Sequence, residues 1–124
     1  MILADSSVWI DHLRDNDERL ATLLAKGQVL MHPKVVGELA CGSLSNRGNR
    51  LRQWRDLPPL KSVSDDEAVQ FLERHLLMSR GIGFIDVHLL AAVAQARGAR
   101  LCSHDKRLAG IATELGFAFQ PHDA

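Results

Sequence analysis

The stretch Ile2-Leu3-Ala4-Asp5-Ser6-Ser7 begins with an apolar run and changes abruptly into residues that cap helices. A short apolar run bounded by polar residues is typical of a buried strand. Asp and Ser favour the position just before a helix, because their side-chain oxygens accept bonds from its free N–H groups. We therefore predict a strand that passes directly into a helix, the unit from which α/β folds are built.

The same order of strand and helix recurs along the chain. Val29-Leu30-Met31 predicts a second strand before a helix that starts at Pro33, and Leu101-Cys102-Ser103 predicts a third strand before a helix introduced by His104-Asp105. Phe117-Ala118-Phe119 predicts a short closing strand. Because strands separated by helices pair in parallel, we expect an α/β fold of three layers with a mainly parallel central sheet.

Terminal signals place two helices in the second half of the chain. Ser64 and Glu67 have the spacing of a capping box, which predicts a helix over about 65–80. Gly81-Ile82-Gly83 breaks that helix, and we expect Asp86 to open the next one.

The composition is typical of one globular domain, which we expect to span 1–124. Of the 124 residues 46% are hydrophobic, and 15 Lys and Arg balance 15 Asp and Glu. A chain of this length can fold without disulfides, so we expect Cys41 and Cys102 to be small buried residues. The sequence has no apolar run of about 20 residues and no secretory N-terminus, which predicts a cytoplasmic protein without membrane contact. Its zero net charge argues against nucleic-acid binding unless the charges are sorted in space.

Acidic residues lie where this order of elements can bring them together. Asp5 and Asp105 follow the first and third predicted strands, while Glu38 and Asp86 lie in or at the start of helices. Open parallel sheets bind ligands at the carboxyl ends of their strands. Clustered carboxylates repel one another unless a cation is present, and Mg²⁺ or Mn²⁺ prefers oxygen ligands. The pattern therefore predicts metal-assisted hydrolysis of a phosphodiester.

Each of these acids also has a simpler interpretation. Asp5, Asp86 and Asp105 stand where helices begin, and Asp is a favoured helix cap. Glu38 interrupts an otherwise apolar helical stretch, which predicts a buried carboxylate; an ion pair with an arginine is the alternative to a functional role. At this point both interpretations stay open.

Two histidines, His88 and His104, lie next to the candidate acids. Either could donate a proton to a leaving group, but a surface or neighbouring structural role is commoner, so we assign neither to catalysis.

Basic residues gather in two places. The first is a segment around Trp54, which could bind RNA phosphates or could be a solvated helix face with the tryptophan in the core. Its arginines are Arg47, Arg50, Arg52 and Arg55. The second is Lys106 and Arg107, directly after Asp105, which are better placed to contact a phosphate at the acidic site.

Short stretches in four parts of the chain together resemble the PIN-domain ribonucleases, specifically the VapC toxins of bacterial type II toxin–antitoxin pairs. The stretches are Asp5-Ser6-Ser7-Val8-Trp9-Ile10, Val36-Gly37-Glu38-Leu39-Ala40, Phe84-Ile85-Asp86-Val87-His88-Leu89-Leu90-Ala91 and Ser103-His104-Asp105-Lys106-Arg107-Leu108. They occur in the family's order over almost the whole chain. The resemblance implies a PIN-like α/β/α fold.

The resemblance also implies an endoribonuclease that needs one or two Mg²⁺ or Mn²⁺ ions. Its catalytic and metal-binding acids would be Asp5, Glu38, Asp86 and Asp105, with Asp5 and Asp86 as the principal ligands. Ser7 would bond Asp5 or the substrate, and Lys106 and Arg107 would bind the substrate. His104 stands where relatives often have Thr or Arg, which affects the expected local substrate contact.

As a toxin of this kind, the chain would cut structured RNA such as tRNA or rRNA and so inhibit translation and growth. It would form a homodimer, be neutralised by a VapB-type antitoxin, and meet operator DNA only through that antitoxin. Two alternatives stay open: a metal-dependent nuclease or phosphatase with another substrate, and a catalytically inactive PIN-fold binding module.

Overall fold

A parallel sheet lies at the centre of the computed structural model, which describes residues 1–119. Its strands are β1 (Ile2–Ala4), β2 (Val29–Leu30) and β3 (Arg100–Cys102). Their order is β2-β1-β3, and both pairs are parallel, as the sequence predicted. Because β1 is in the middle, the carboxyl ends of the other two strands lie on either side of its own end.

Helices follow and separate the strands within the described residues. They are α1 (Ser6–Asp15), α2 (Glu18–Ala25), α3 (Pro33–Ala40), α4 (Arg47–Arg55), α5 (Asp65–Arg74), α6 (Phe84–Gln95) and α7 (Lys106–Leu115). Helix α3 contacts α1 and α4, α5 packs on α6, and α6 and α7 contact β3. This arrangement confirms the predicted α/β class. Residues 120–124 of the predicted single domain lie outside the described part.

Helix α6 is the most buried helix, since an unbroken run from Val87 to Val93 is inaccessible to solvent. A helix that is apolar on every side belongs inside the molecule. The core around it contains Leu3 from β1, Leu101 from β3 and Leu108 from α7. Functional residues at the start of α6 are therefore attached to a rigid element.

The predicted extent of α5 was wrong: the helix ends at Arg74 rather than near residue 80. Leu76 takes a left-handed conformation with φ +55°, and the Leu77 N–H bonds to the Leu72 carbonyl at 3.0 Å. These two features form a Schellman motif, which ends the helix. It buries Leu77 to 3% exposure, and apolar burial of this size outweighs the unfavourable backbone of Leu76.

Several local predictions also need correction. Helix α6 begins at Phe84, two residues before Asp86, because Gly83 occupies the N-cap position. The predicted closing strand is reduced to a bridge between Leu101 and Ala118. Cys41 is exposed rather than buried.

Cys102 is half-buried, and burial raises the pKa of its thiol to about 11. The group is therefore a protonated thiol at neutral pH and not a nucleophile. Within residues 1–119, every helix is too short or too polar to cross a bilayer.

His32 is a buried histidine that joins the end of β2 to α3. Its Nδ1 accepts the Lys34 N–H at 3.1 Å, so Nε2 carries the proton and donates to Ser62 Oγ at 3.2 Å. Burial, followed by the nearby charges of Lys34 and His88, lowers the pKa of His32 to about 4. The ring is neutral in the folded protein under all but acidic conditions.

We predict that the free energy of unfolding decreases as the pH falls from about 7 to about 4, because His32 binds a proton in the unfolded chain before it does in the folded one. Replacing His32→Asn keeps a capping acceptor and removes the titrating ring. The difference in unfolding free energy between wild type and variant should shrink by about 2 kcal/mol from pH 7 to about pH 5. Urea unfolding followed by tryptophan fluorescence measures it. A difference that does not change with pH would contradict the assignment.

Candidate active site at the carboxyl edge of the sheet

Asp5 lies at the end of β1 with only 5% of its surface exposed. Its Oδ1 accepts the Ser7 hydroxyl at 2.5 Å and the Val8 N–H at 3.2 Å, and its Oδ2 accepts the Ser103 hydroxyl at 2.5 Å. A buried carboxylate needs such donors, since without them its desolvation would be unfavourable. The bonds fix the orientation of the carboxylate while it caps α1.

Ser7 and Ser103 connect the starts of α1 and α7. The β1–β3 register places Ala4 opposite Cys102, so the next residue of each strand, Asp5 and Ser103, can meet. Ser103 Oγ also accepts the Asp105 N–H at 3.0 Å, and Ser7 Oγ accepts the His104 N–H at 2.9 Å. Each serine thus donates its proton to Asp5 and accepts a backbone N–H from the segment that leads into α7.

Of these two serines, sequence reasoning assigned a role only to Ser7. Its hydroxyl donates to Asp5, which is one of the two predicted contacts; the contact with a substrate stays a prediction. The signal that would have identified Ser103 is its place at the end of the strand that neighbours β1.

Asp105 is an exposed residue at the N-cap of α7, so its simpler interpretation was correct. Its Oδ1 accepts the N–H groups of Arg107 and Leu108 at 2.9 and 3.3 Å. The capping bonds use one carboxylate oxygen only, which is compatible with a second role for the other.

Asp86 is the third residue of α6 and not its cap. Its Oδ2 accepts the Gly83 N–H at 3.2 Å, which orients the half-buried side chain. Burial raises the pKa of Asp86, the bond from Gly83 lowers it in part, and the charges of Asp5 and Asp105 raise it further.

Glu38 lies on α3 and is exposed, which corrects the expectation that it is buried. Partial desolvation of its carboxyl group is nevertheless the main reason that its pKa is raised; a hydrogen bond with Ser6 lowers the pKa, and the charges of Asp86 and Asp5 raise it. Within residues 1–119 no arginine forms an ion pair with Glu38, so the predicted alternative of such a pair is not seen.

Two of the four predicted acids have a pKa that is raised by the charges of the others. Asp5 and Asp86 raise the pKa of Glu38, while Asp5 and Asp105 raise that of Asp86. In the described part of the chain, none of these carboxylates has a Lys, Arg or His ion-pair partner. The structure thus gathers negative charge without a protein cation to compensate it.

This group of carboxylates fits a hard divalent cation, which takes oxygen ligands and would relieve the repulsion. Among residues 1–119, no three His, Cys, Asp or Glu side chains lie close enough together to form a ligand set on their own. Direct ligation by all four acids is therefore not the arrangement seen. Magnesium commonly binds through one or two carboxylates and keeps several waters, so the residues present remain suited to it.

The two histidines next to the acids bond elsewhere. His88 is buried and its Nε2 lies 2.8 Å from Asp65 Oδ1, while its Nδ1 is without a partner in the described residues. His104 Nδ1 lies 2.5 Å from Asp11 Oδ2. Within residues 1–119, neither ring is hydrogen-bonded to a candidate acid.

The arginines around Trp54 stabilise local structure. Trp54 is 4% exposed and belongs to the core. Arg47 donates to the carbonyls of Ala40 and Gly42, and Arg50 donates to that of Ser45. Lys106 and Arg107, by contrast, are exposed and have no ion-pair partner within residues 1–119.

Comparison with known proteins identifies the family and the fold. The family model for the PIN domain matches residues 2–114. The chain is 43% identical over 118 residues to Ribonuclease VapC32 of Mycobacterium tuberculosis, in both strain CDC 1551 / Oshkosh and strain H37Rv, covering 95% of each chain. The crystal structure of PAE2754 from Pyrobaculum aerophilum superposes with a TM-score of 0.61 at 17% identity, covering 98% of this chain and 90% of the other, and shows the same fold.

The proximity of the acids can be tested without any metal. In Asp86→Asn, one of the charges that raise the pKa of Glu38 is removed, so that pKa should fall while the desolvation effect stays. Carbon-detected NMR titration of the side-chain carboxyls measures the change. Glu67, whose pKa is lowered by its bonds with Ser64, should titrate as before and is the internal control. If Glu38 titrates identically in both proteins, the two carboxylates do not interact.

Proposed function

The chain belongs to the PIN-domain family as a ribonuclease of the VapC type, and from that premise we propose that it is the toxin of a type II toxin–antitoxin pair. It hydrolyses phosphodiesters of structured RNA, such as tRNA or rRNA, with Mg²⁺ or Mn²⁺ as cofactor. Translation and growth stop as a result. The observation that carries the proposal is the convergence of Asp5, Glu38, Asp86 and Asp105 without a cationic partner in the described residues.

One or two metal ions would be held mainly by Asp5 and Asp86, with Glu38 and Asp105 contributing through water. When bound, such an ion supplies an activated water and neutralises charge on the phosphodiester. The protein's part is to keep the carboxylates in place. Asp5 has its two oxygens fixed by three donors, and Asp86 is fixed by Gly83 on the rigid helix α6.

Substrate binding is assigned to the cations beside the acidic site. Lys106 and Arg107 are exposed in the first turn of α7, directly after Asp105. A lysine attracts phosphate as a point charge, and an arginine adds a planar pair of donors. Neither charge is used in an ion pair within residues 1–119, which leaves both available to RNA.

The partners follow from the toxin assignment. We propose a VapB-type antitoxin that neutralises the chain, a homodimer as the toxin's own assembly, and contact with operator DNA only through the antitoxin. The cytoplasm is the proposed location, since the RNA substrates are there.

We predict that the purified chain, freed of antitoxin, cleaves total cellular RNA when Mg²⁺ or Mn²⁺ is added. Asp5→Asn should reduce the rate by about a hundredfold or more, because the variant keeps the shape of the side chain but loses its charge. EDTA should stop cleavage in the wild type. Gel analysis of the RNA over time measures both effects.

The matched control is Asp66→Asn, which removes an exposed carboxylate on α5 and should leave the rate unchanged. Cleavage that continues in EDTA or in Asp5→Asn would overturn the proposal. Duplex DNA and a phosphate monoester are assayed in parallel, and faster turnover of either would identify the alternative enzyme.

A second prediction concerns cells. Expression of the chain alone should arrest growth, and Asp86→Ala should abolish the arrest because it removes a carboxylate of the acidic site. Co-expression of the VapB-type partner should restore growth to the wild-type chain. Harmless expression of the wild type, at a protein level equal to that of the variant, would favour an inactive binding module.

A further inference from the structure

The connection between α5 and α6 is held against α7 by two adjacent residues. Arg80 Nη2 lies 3.0 and 2.9 Å from the two carboxylate oxygens of Glu114. The next residue, Gly81, lies beneath the side chain of Arg107. Arg107 and Glu114 are about two turns apart on α7, so they share one face of the helix. The loop therefore runs along α7 in a fixed register.

Gly81 is the residue that permits this arrangement. Its φ is +82°, a conformation that side chains rarely adopt. A Cβ at this position would lie 2.7 Å from Arg107 Cδ, 3.0 Å from Nη1 and 3.1 Å from Nε. The 2.7 Å distance is too short for a real contact and the other two are unusually tight, so any side chain at position 81 forces Arg107 to move. Because Arg107 is a flexible exposed side chain, it can move without unfolding the protein.

The segments that Arg107 joins are those that carry two of the candidate acids. Arg107 follows Asp105 by two residues, and Gly81 precedes Gly83, whose N–H bonds to Asp86. The guanidinium has no ion-pair partner among residues 1–119. It is thus an unpaired positive charge on a side chain that packs over Gly81, between the segments that carry Asp86 and Asp105.

We propose that Gly81 is a positioning residue for RNA binding: by lacking a side chain, it leaves the space in which the Arg107 side chain lies along the loop, with its guanidinium available to bind a phosphate next to the one that is cut. This inference rests on the proposed ribonuclease function. An arginine whose conformations are restricted by packing on a loop loses less conformational freedom on binding than an unrestricted one, so more of its interaction with phosphate contributes to affinity. A phosphate contact of this kind affects KM rather than kcat if it is made equally in the ground and transition states.

The test compares cleavage kinetics of total cellular RNA for Gly81→Ala, Arg107→Ala and the double variant. Each should raise KM about fivefold to tenfold with kcat changed less than about twofold. The double variant should equal Arg107→Ala alone, because Gly81 acts only through Arg107. The slope of log KM against log salt concentration should decrease in all three variants by the amount expected for about one lost phosphate contact.

Gly116→Ala is the matched control. Gly116 also has a positive φ, +88°, and it ends the same helix α7, but nothing lies within 4 Å of its missing Cβ. Both glycine variants should lower the melting temperature through backbone strain, whereas only Gly81→Ala should raise KM. Gly81→Asn serves as a second variant if Gly81→Ala folds poorly, because asparagine adopts a left-handed backbone more readily than alanine does.

The outcomes separate this inference from the proposed function. If the wild type cleaves RNA and Gly81→Ala behaves like Gly116→Ala, the positioning role of Gly81 is overturned and the ribonuclease assignment stands. If the effects of the two substitutions on KM add in the double variant, Gly81 does not act through Arg107. If the wild type does not cleave RNA, both the proposed function and this inference fail.

Discussion

The Asp5 carboxylate is the group on which the rest of the site depends. It is buried where β1 ends, and it accepts hydrogen bonds from Ser7, Val8 and Ser103. A buried carboxylate without these donors would be strongly unfavourable, so folding must bring the ends of β1 and β3 and the start of α1 together. The same bonds place the serines between Asp5 and the segment that leads to Asp105. One requirement for hydrogen bonding thus organises both a structural junction and a candidate active site.

The distribution of charge explains how a chain of zero net charge can act on RNA. The acids Glu38 and Asp86 have raised pKa values, mainly through desolvation and further through the charges of neighbouring acids, which indicates concentrated negative charge. Arg107 and Lys106 lie exposed beside this region. A divalent cation would neutralise the acids and leave the basic residues to attract phosphate. Average charge therefore says little about nucleic-acid binding when the acids are clustered.

Local signals in the sequence were sufficient for most of the secondary structure, whereas the catalytic role of the four acids stays a prediction. The capping box of Ser64 and Glu67 formed as predicted, and Asp5 and Asp105 cap the expected helices. The end of α5 was missed because burial of Leu77, a tertiary effect, outweighs the helical preference of the residues after Arg74. The exposure of Glu38 was missed for a similar reason, since an apolar neighbourhood in sequence does not specify which face of a helix is covered.

The sequence by itself determined the alternation of strand and helix and the order of the four acids, because capping and apolar periodicity act over a few residues. Tertiary structure alone decided which groups surround those acids. Ser103 bonds to Asp5 across 98 positions of sequence, and Gly81 meets Arg107 only because the loop before α6 lies along α7. Such contacts depend on strand register and helix packing, which no short stretch of sequence specifies.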